Sequence, residues 1–288
     1  MTQEKLNEKI IQDFWTDYPM IFCTDGYDKK SSSPEDIFKH MDKMMRLKGS
    51  YFQKDGAPLL SKYIDYEKYK GKKILEIGFG TGWILNEFAK VKAKVYGIDL
   101  SKSHYKLSSY RFKDNPDVDL QVASAESIPF PDSSFDFVVA WGVLHHAADD
   151  IKCYEEVRRV LNPNGKAFLM LYRKGGPKYW WRKLFIKGII GGGLRKYNWN
   201  VAKFIDSVTD VREEGDPGAP ISRHYTRKEL KNIFSNFSKV EISVSGNTGE
   251  WDNLPAHRFP LTNWLLPECI RKKLVHTFGA YWLIHLTV

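Results

Sequence analysis

From residue 72 onward the chain falls into short apolar runs separated by amphipathic stretches, a rhythm absent before it. The runs KKILEIG, KVYGIDL, DLQVA, SFDFVVAWG and KAFLMLYR have the length and continuity of strands buried on both faces. Between them GWILNEFAKV, SKSHYKLSSYRF and DDIKCYEEVRRVL space their apolar residues as helices do. Strands alternating with helices in this way predict a parallel sheet with crossover helices. Two later runs, KVEISVSG and AYWLIHLTV, supply further strands, and the helix YTRKELKNIFSNF precedes them with Thr226 and Glu229 at capping-box spacing. The predicted fold is α/β, a seven-stranded and mostly parallel sheet with helices on both faces.

Two zones lie outside that rhythm. Residues 1–70 show no strand pattern: EKIIQDFWTDYP begins a helix that Pro19 helps to stop, SSSPEDIFKHMDKMMRL offers a serine cap and first-turn acids, and LLSKYIDYEKY follows Pro58. They read as an N-terminal helical lid segment ahead of a domain over 71–288, with Trp15, Tyr18, Phe22 and Tyr51 either lining the lid or packing it on the sheet. Residues 173–220, after the fifth strand, form a Gly-, Trp- and base-rich insertion. Within it KYWWRKLFIKGII places Trp181, Leu184, Phe185 and Ile189 at helical spacing and Lys178, Arg182, Lys183 and Lys187 on other faces. Such a helix either caps a pocket or lies in the surface of an anionic membrane, and Gly191, Gly192 and Gly193 give it a joint. Residues 248–275, with Trp251, Pro255, Pro260, Trp264 and Pro267, read as an irregular excursion followed by a short helix.

Charge and cysteine usage narrow the classes. The net charge of +9 is local: residues 171–200 hold eight bases and no acid, so the remainder of the 288-residue chain is nearly neutral. A general nucleic-acid surface is therefore not expected. Cys23, Cys153 and Cys269 are scattered, without ligand spacing, which argues for a reducing cytoplasm, no disulfide framework and no metal site. The first residues lack the apolar core of a signal peptide, and no run approaches the roughly 20 apolar residues of a membrane span.

The chemistry is carried by ILEIGFGTG, residues 74–82. Gly78, Gly80 and Gly82 follow a strand and precede a helix, so the backbone can turn sharply and approach a ligand at the carboxyl edge of the sheet. Asp99 ends the next strand, where a carboxylate can take both hydroxyls of a ribose. A dinucleotide loop needs its third glycine where this chain has Trp83. Glu76, just ahead of the loop, would repel a pyrophosphate but suits a cationic amino group. These residues point to a nucleoside that bears an amino acid.

LEIGFGTG, GIDLS, SAESIPFPDSSFDFVVAWGVLHH and EEVRRVLNPNGKAFLMLY resemble, in order and spacing, the motifs of class I S-adenosylmethionine-dependent methyltransferases of the small-molecule type that includes the menaquinone and ubiquinone methyltransferases. The resemblance spans about residues 72–172 and implies a Rossmann-like sheet with S-adenosylmethionine as cofactor. It implies that Glu76 and Gly78 hold the methionine amino group, that Gly80 and Gly82 permit close approach, that Asp99 takes the ribose and that Leu100 flanks the adenine. Ala125 and Glu126 fall beside the adenine edge, after Ser124 where the family usually has an acid, and Trp141 and Gly142 run along the cofactor toward the methyl acceptor.

A base is needed only when the nucleophile carries a proton. His146, ahead of His145, stands at the rim for that task, and Tyr172 ends the neighbouring strand; Arg173, His224 and Tyr225 are secondary candidates. The expected activity is methyl transfer to oxygen or carbon of a small-molecule or lipid-like acceptor. A non-catalytic module that only binds S-adenosylmethionine and an RNA methyltransferase remain as alternatives, the latter without the Asn/Asp-Pro-Pro-aromatic signature of base methylation. Trp83 disfavours a nicotinamide-dependent oxidoreductase.

Overall fold

Apolar continuity puts KILEI at the centre of the sheet: four of the five side chains of β1 (Lys73–Ile77) are buried. The computed structural model describes residues 3–18, 33–48, 52–54, 57–176, 178–210, 218–246 and 276–288. Helices α1 (Gln3–Asp17) and α2 (Pro34–Lys48) precede β1. After it come α3 (Trp83–Lys90), β2 (Lys94–Asp99), α4 (Lys102–Arg111), β3 (Val118–Val122), β4 (Phe135–Trp141), α5 (Asp150–Val160) and β5 (Leu161–Tyr172). The sheet runs β3-β2-β1-β4-β5-β7-β6, where β6 is Lys239–Ser245 and β7 is Tyr281–Thr287. β1 to β5 pair in parallel, and β7 runs antiparallel to both of its neighbours, β5 and β6.

The period-two alternation of β1 sends Leu75 and Ile77 into one core and Ile74 into another. The first core receives Tyr154 and Val157 from α5, and Leu230 and Phe234 from α8 (Arg227–Ile233) and its C-cap; the second receives Ile84, Leu85 and Phe88 from α3. Helices thus cover both faces, as the pattern predicts. Thr226 and Glu229 do form the reciprocal capping box of α8. From β1 the chain moves outward through β2 and β3 and then returns to β4 on the other side of β1. The crevice between the carboxyl ends of β1 and β4 is the switch point at which such sheets bind ligands.

In the N-terminal zone α1 lies across the start of α4, tied by Ser101 Oγ to the Trp15 carbonyl (2.8 Å), Gln12 Nε2 to the Leu100 carbonyl (3.0 Å) and Ser103 Oγ to the Thr16 carbonyl (2.7 Å). The LLSKYIDYEKY stretch is not an α-helix. It forms turns and a short 3-10 helix, Tyr66–Tyr69, because its tyrosines are spent on packing: Tyr66 is buried and its hydroxyl donates to the Leu59 carbonyl at 2.8 Å. Phe22, Tyr51, Cys23, Cys269 and the 248–275 excursion lie outside the described residues.

The insertion is a small helical unit. It comprises a π-helix (Lys178–Ile190), α6 (Gly193–Lys196) and α7 (Val201–Ser207), which close on their own core of Tyr179, Leu194, Phe204 and Ile205. Its winding departs from the expected period. Gly191 N–H bonds to the Ile186 carbonyl, five residues back, at 2.8 Å, so the turns are wider than in an α-helix. Trp181, Phe185 and Ile189 are consequently turned to solvent while Leu184 tucks against the small core, and Lys183, expected on the polar face, reaches inward to Thr209 Oγ1 at 2.6 Å. Among the described residues no helix is long and apolar enough to cross a membrane.

Candidate active site

A cavity of about 410 Å³ occupies the switch point. Its floor is the glycine loop. Gly78 and Gly80 sit at φ +72° and +54°, in the left-handed region that side chains strain to adopt. A Cβ on Gly78 would collide with the Val143 side chain, whereas one on Gly80 would meet nothing within 4 Å. Close packing therefore requires the first glycine, and the second leaves room for a ligand.

Two buried carboxylates flank the loop. Glu76 Oε2 accepts the Leu85 N–H at 3.1 Å, and burial pushes its carboxyl well above the usual range, against the pull of that bond. Asp99 accepts Gly80 N–H on Oδ2 (2.9 Å) and Ser101 N–H on Oδ1 (2.8 Å), with His104 Nδ1 3.4 Å from Oδ2. Leu100, Ser124, Ala125 and Glu126 line the same end of the cavity. Ser124 Oγ takes the Glu126 N–H at 3.2 Å, a turn within the loop, and Glu126 Oε1 takes the Asp149 N–H at 3.0 Å. Burial raises the Glu126 carboxyl.

Trp141 and Gly142 line the other end with Trp15, Phe52, Leu59 and Met170, and the Trp141 and Phe52 rings meet edge to face at 5.0 Å. His146 closes this end. Its Nδ1 lies 2.6 Å from the Ile221 carbonyl, which can only accept, so Nδ1 carries a proton. Nε2 stands 3.2 Å from Asp210 Oδ2, and the Tyr172 hydroxyl donates to Asp210 Oδ1 at 2.7 Å. Burial works to raise the Asp210 carboxyl, but His146, Tyr172 and Lys183 outweigh it and hold it at about 2, so it is a carboxylate at neutral pH. The Trp15 ring packs edge-on against His146 at 5.1 Å.

Two of the candidate residues do not line the cavity. Gly82 caps α3, with its Cα beside the Phe112 ring. His145 is fully buried against Tyr172 (4.0 Å between rings), has no hydrogen-bond partner for either nitrogen among the described residues, and is kept neutral by burial. Of the secondary candidates, Arg173 bonds the carbonyls of Thr277 and Gly279, Tyr225 bonds Asp150, and His224 Nε2 faces Lys183 Nζ at 3.3 Å. Asp210 was not legible in the sequence. It is 64 positions from His146 and obeys no motif spacing.

S-adenosylmethionine suits this donor set. The carboxylate of Asp99 is placed for hydroxyl donors, the open wall at Gly80 for a ligand passing beside it, and the Glu76 carboxyl for a cationic amino group, whose charge would offset the burial that now favours the neutral acid. A cavity of this size is in the range that holds a small ligand.

A methyltransferase domain family matches residues 75–169. A demethylmenaquinone methyltransferase of Geobacillus sp. (strain WCH70) is 31% identical over 227 residues, covering 74% of this chain and 89% of that protein. The uncharacterized methyltransferase YcgJ of Bacillus subtilis (strain 168) is 34% identical over 100 residues, 34% of this chain and 40% of the relative. The Hahella chejuensis ubiquinone/menaquinone biosynthesis C-methyltransferase UbiE is 31% identical, covering 36% of this chain and 44% of the relative. For these last two the chain spans less than half of the relative's length. Among solved structures, the Haemonchus contortus phosphoethanolamine N-methyltransferase 2, in complex with phosphomonomethylethanolamine and S-adenosylhomocysteine, has a TM-score of 0.51 at 16% identity over 90% of this chain and 60% of that one. The methyltransferase in complex with the Haloferax volcanii Trm112 activator has a TM-score of 0.53 at 17% identity over 87% and 94%. These two likenesses are of fold.

Proposed function

The chain belongs to the class I S-adenosylmethionine-dependent methyltransferases, and from that premise we propose that it methylates oxygen or carbon of a lipid-like small molecule, with His146 as the base. The bound cofactor supplies an electrophilic methyl carbon on a sulfonium, whose C–S electron pair stays on sulfur as the acceptor's pair forms the new bond. On this reading Glu76 and Gly78 hold the amino group, Asp99 holds the ribose, Leu100, Ala125 and Glu126 border the adenine, and Gly80 leaves room for the ligand. Trp141, Gly142, Phe52 and Met170 form a dry wall in which the nucleophile is aligned. The His146–Asp210 pair takes up the acceptor's proton, and Tyr172 fixes Asp210. Residues 1–70 serve as the lid and 71–288 as the transferase domain, in the cytoplasm.

The observation that carries this reading is the His146–Asp210 pair in the cavity wall, Nε2 to Oδ2 at 3.2 Å, next to the apolar end of the pocket. The relatives named for demethylmenaquinone and for ubiquinone/menaquinone biosynthesis support a ring-bearing, lipid-like acceptor, and the basic, Trp-bearing stretch 178–190 supports contact with an anionic membrane.

Incubation with methyl-labelled S-adenosylmethionine and a total lipid extract should label one lipid. His146→Ala should lower that rate by about 10²–10⁴ while cofactor affinity stays near wild type. Label in RNA instead would favour the RNA methyltransferase, and cofactor binding with no labelled product in any extract would favour the binding module.

A further inference from the structure

The insertion has two unlike faces. Its inner face closes on the small core and reaches the active site through Lys183 and Asp210. Its outer face is apolar: Trp181, Phe185, Ile189 and Ile190 are 42%, 40%, 55% and 69% exposed, and they recur at intervals of four and five along one side of the π-helix. The Trp181 and Phe185 rings stack at 4.9 Å, which makes the stripe a continuous apolar surface. The same helical unit exposes Trp199 to 65%. Large apolar side chains gathered in this way on a soluble face mark an interaction site.

The charge around the stripe selects the partner. Lys187, Arg195, Lys196 and Lys203 are exposed on the same unit, and residues 171–205 contain no acid at all. Asp206, the first acid after them, is turned inward and accepts the Ser222 N–H at 2.9 Å. A partner that satisfies this surface must offer anionic groups at its boundary and an apolar interior just beneath. Tryptophan at the boundary and long basic side chains that keep their charge in the headgroup layer match such a medium. Ile189 and Ile190, the aliphatic end of the stripe, gain nothing from stacking on a nucleobase but gain from burial among acyl chains.

We propose that the outer face of the unit formed by the π-helix, α6 and α7 docks on an anionic phospholipid bilayer. This rests on the lipid-like reading of the acceptor only for its purpose, since docking is measurable without any methyl transfer. The bilayer takes Trp181, Phe185, Ile189 and Ile190 into its interface, and the bases stay among the headgroups. The inner face, with Lys183 on Thr209 and Asp210 at the cavity wall, is left as it is, so the active site sits one helix-thickness from the lipid.

The test is co-sedimentation of the full chain with phosphatidylcholine vesicles made with and without phosphatidylglycerol. Wild-type protein should pellet with the anionic vesicles and remain in solution with the neutral ones. Ile189→Ser with Ile190→Ser should lower partitioning about tenfold or more, and Lys187→Gln, Arg195→Gln and Lys196→Gln about fivefold each at low salt. Calorimetric binding of S-adenosylmethionine by each variant shows that the fold and the cofactor site persist, so loss of docking and loss of the methyltransferase reading are told apart. Wild-type protein that stays in the supernatant with anionic vesicles overturns the proposal. So does light scattering showing that the isoleucine pair is instead needed for a dimer of this chain, or RNA binding that is lost in the same variants while vesicle binding is not.

Discussion

Asp99 does two things with one carboxylate. Each of its oxygens already accepts a backbone N–H, from Gly80 and from Ser101, so the group that would hold a ribose also fixes the loop beneath it. Asp99→Ala should weaken S-adenosylmethionine binding by about 1.5–3 kcal/mol, roughly 10- to 100-fold, in a protein that still folds. Titration calorimetry that returns wild-type affinity would remove Asp99 from the site. Asp99 and Glu76 were legible because each stands at a fixed offset from a strand end and a glycine loop, and strand ends can be read from local apolar runs. Asp210 was not, because it meets His146 and Tyr172 across 64 and 38 positions and no local pattern encodes such a meeting. The short 3-10 helix Leu144–His146 turns His145 inward and leaves His146 on the cavity, a facing that two adjacent residues in a sequence do not reveal.

At the scale of elements, the strand–loop–helix joint after β1 separates packing from binding. Gly78→Ala should disrupt the joint itself, because its Cβ would overlap Val143 in a backbone held at positive φ. Gly80→Ala meets only open cavity, so the expected outcome is a smaller loss, about 1 kcal/mol or so of stability from the backbone conformation alone, with a clear loss of cofactor affinity. Thermal unfolding paired with calorimetry checks both; equal behaviour of the two variants would contradict the division of labour. The seven strands and the α8 capping box were readable because burial on two faces, alternation and a cap each leave a short-range signature. The insertion helix was readable as a helix but not in its facing. A 3.6-residue period groups Leu184 with Trp181, whereas the wider π winding tucks Leu184 inside and leaves Trp181 on the surface.

For the whole molecule, buried histidines near the junction of insertion and sheet tie stability to pH. Burial first, and then the neighbouring Lys183 charge, lower His224 to about 3, while an unfolded chain protonates it near 6.5. The folded protein therefore keeps its full stability above pH 6.5 and loses it as pH falls from there toward 3, by about 1.4 kcal/mol per pH unit for this residue. Between pH 7 and pH 5 the wild type should lose about 2 kcal/mol more than His224→Gln, since every other titrating group is common to both. Urea unfolding at the two pH values measures the difference, and parallel losses would show that His224 is solvated. The sheet order carries a consequence in time rather than in space. β5 and β6 both wait for β7, which is made after either and fills the gap between them. As the chain leaves the ribosome, β1 to β5 can assemble while β5 presents an open apolar edge and β6 has no strand to pair with. Until Tyr281–Thr287 emerges, the nascent chain is at its most exposed to pairing with a neighbour, and a translation product that stops short of β7 is the form expected to aggregate.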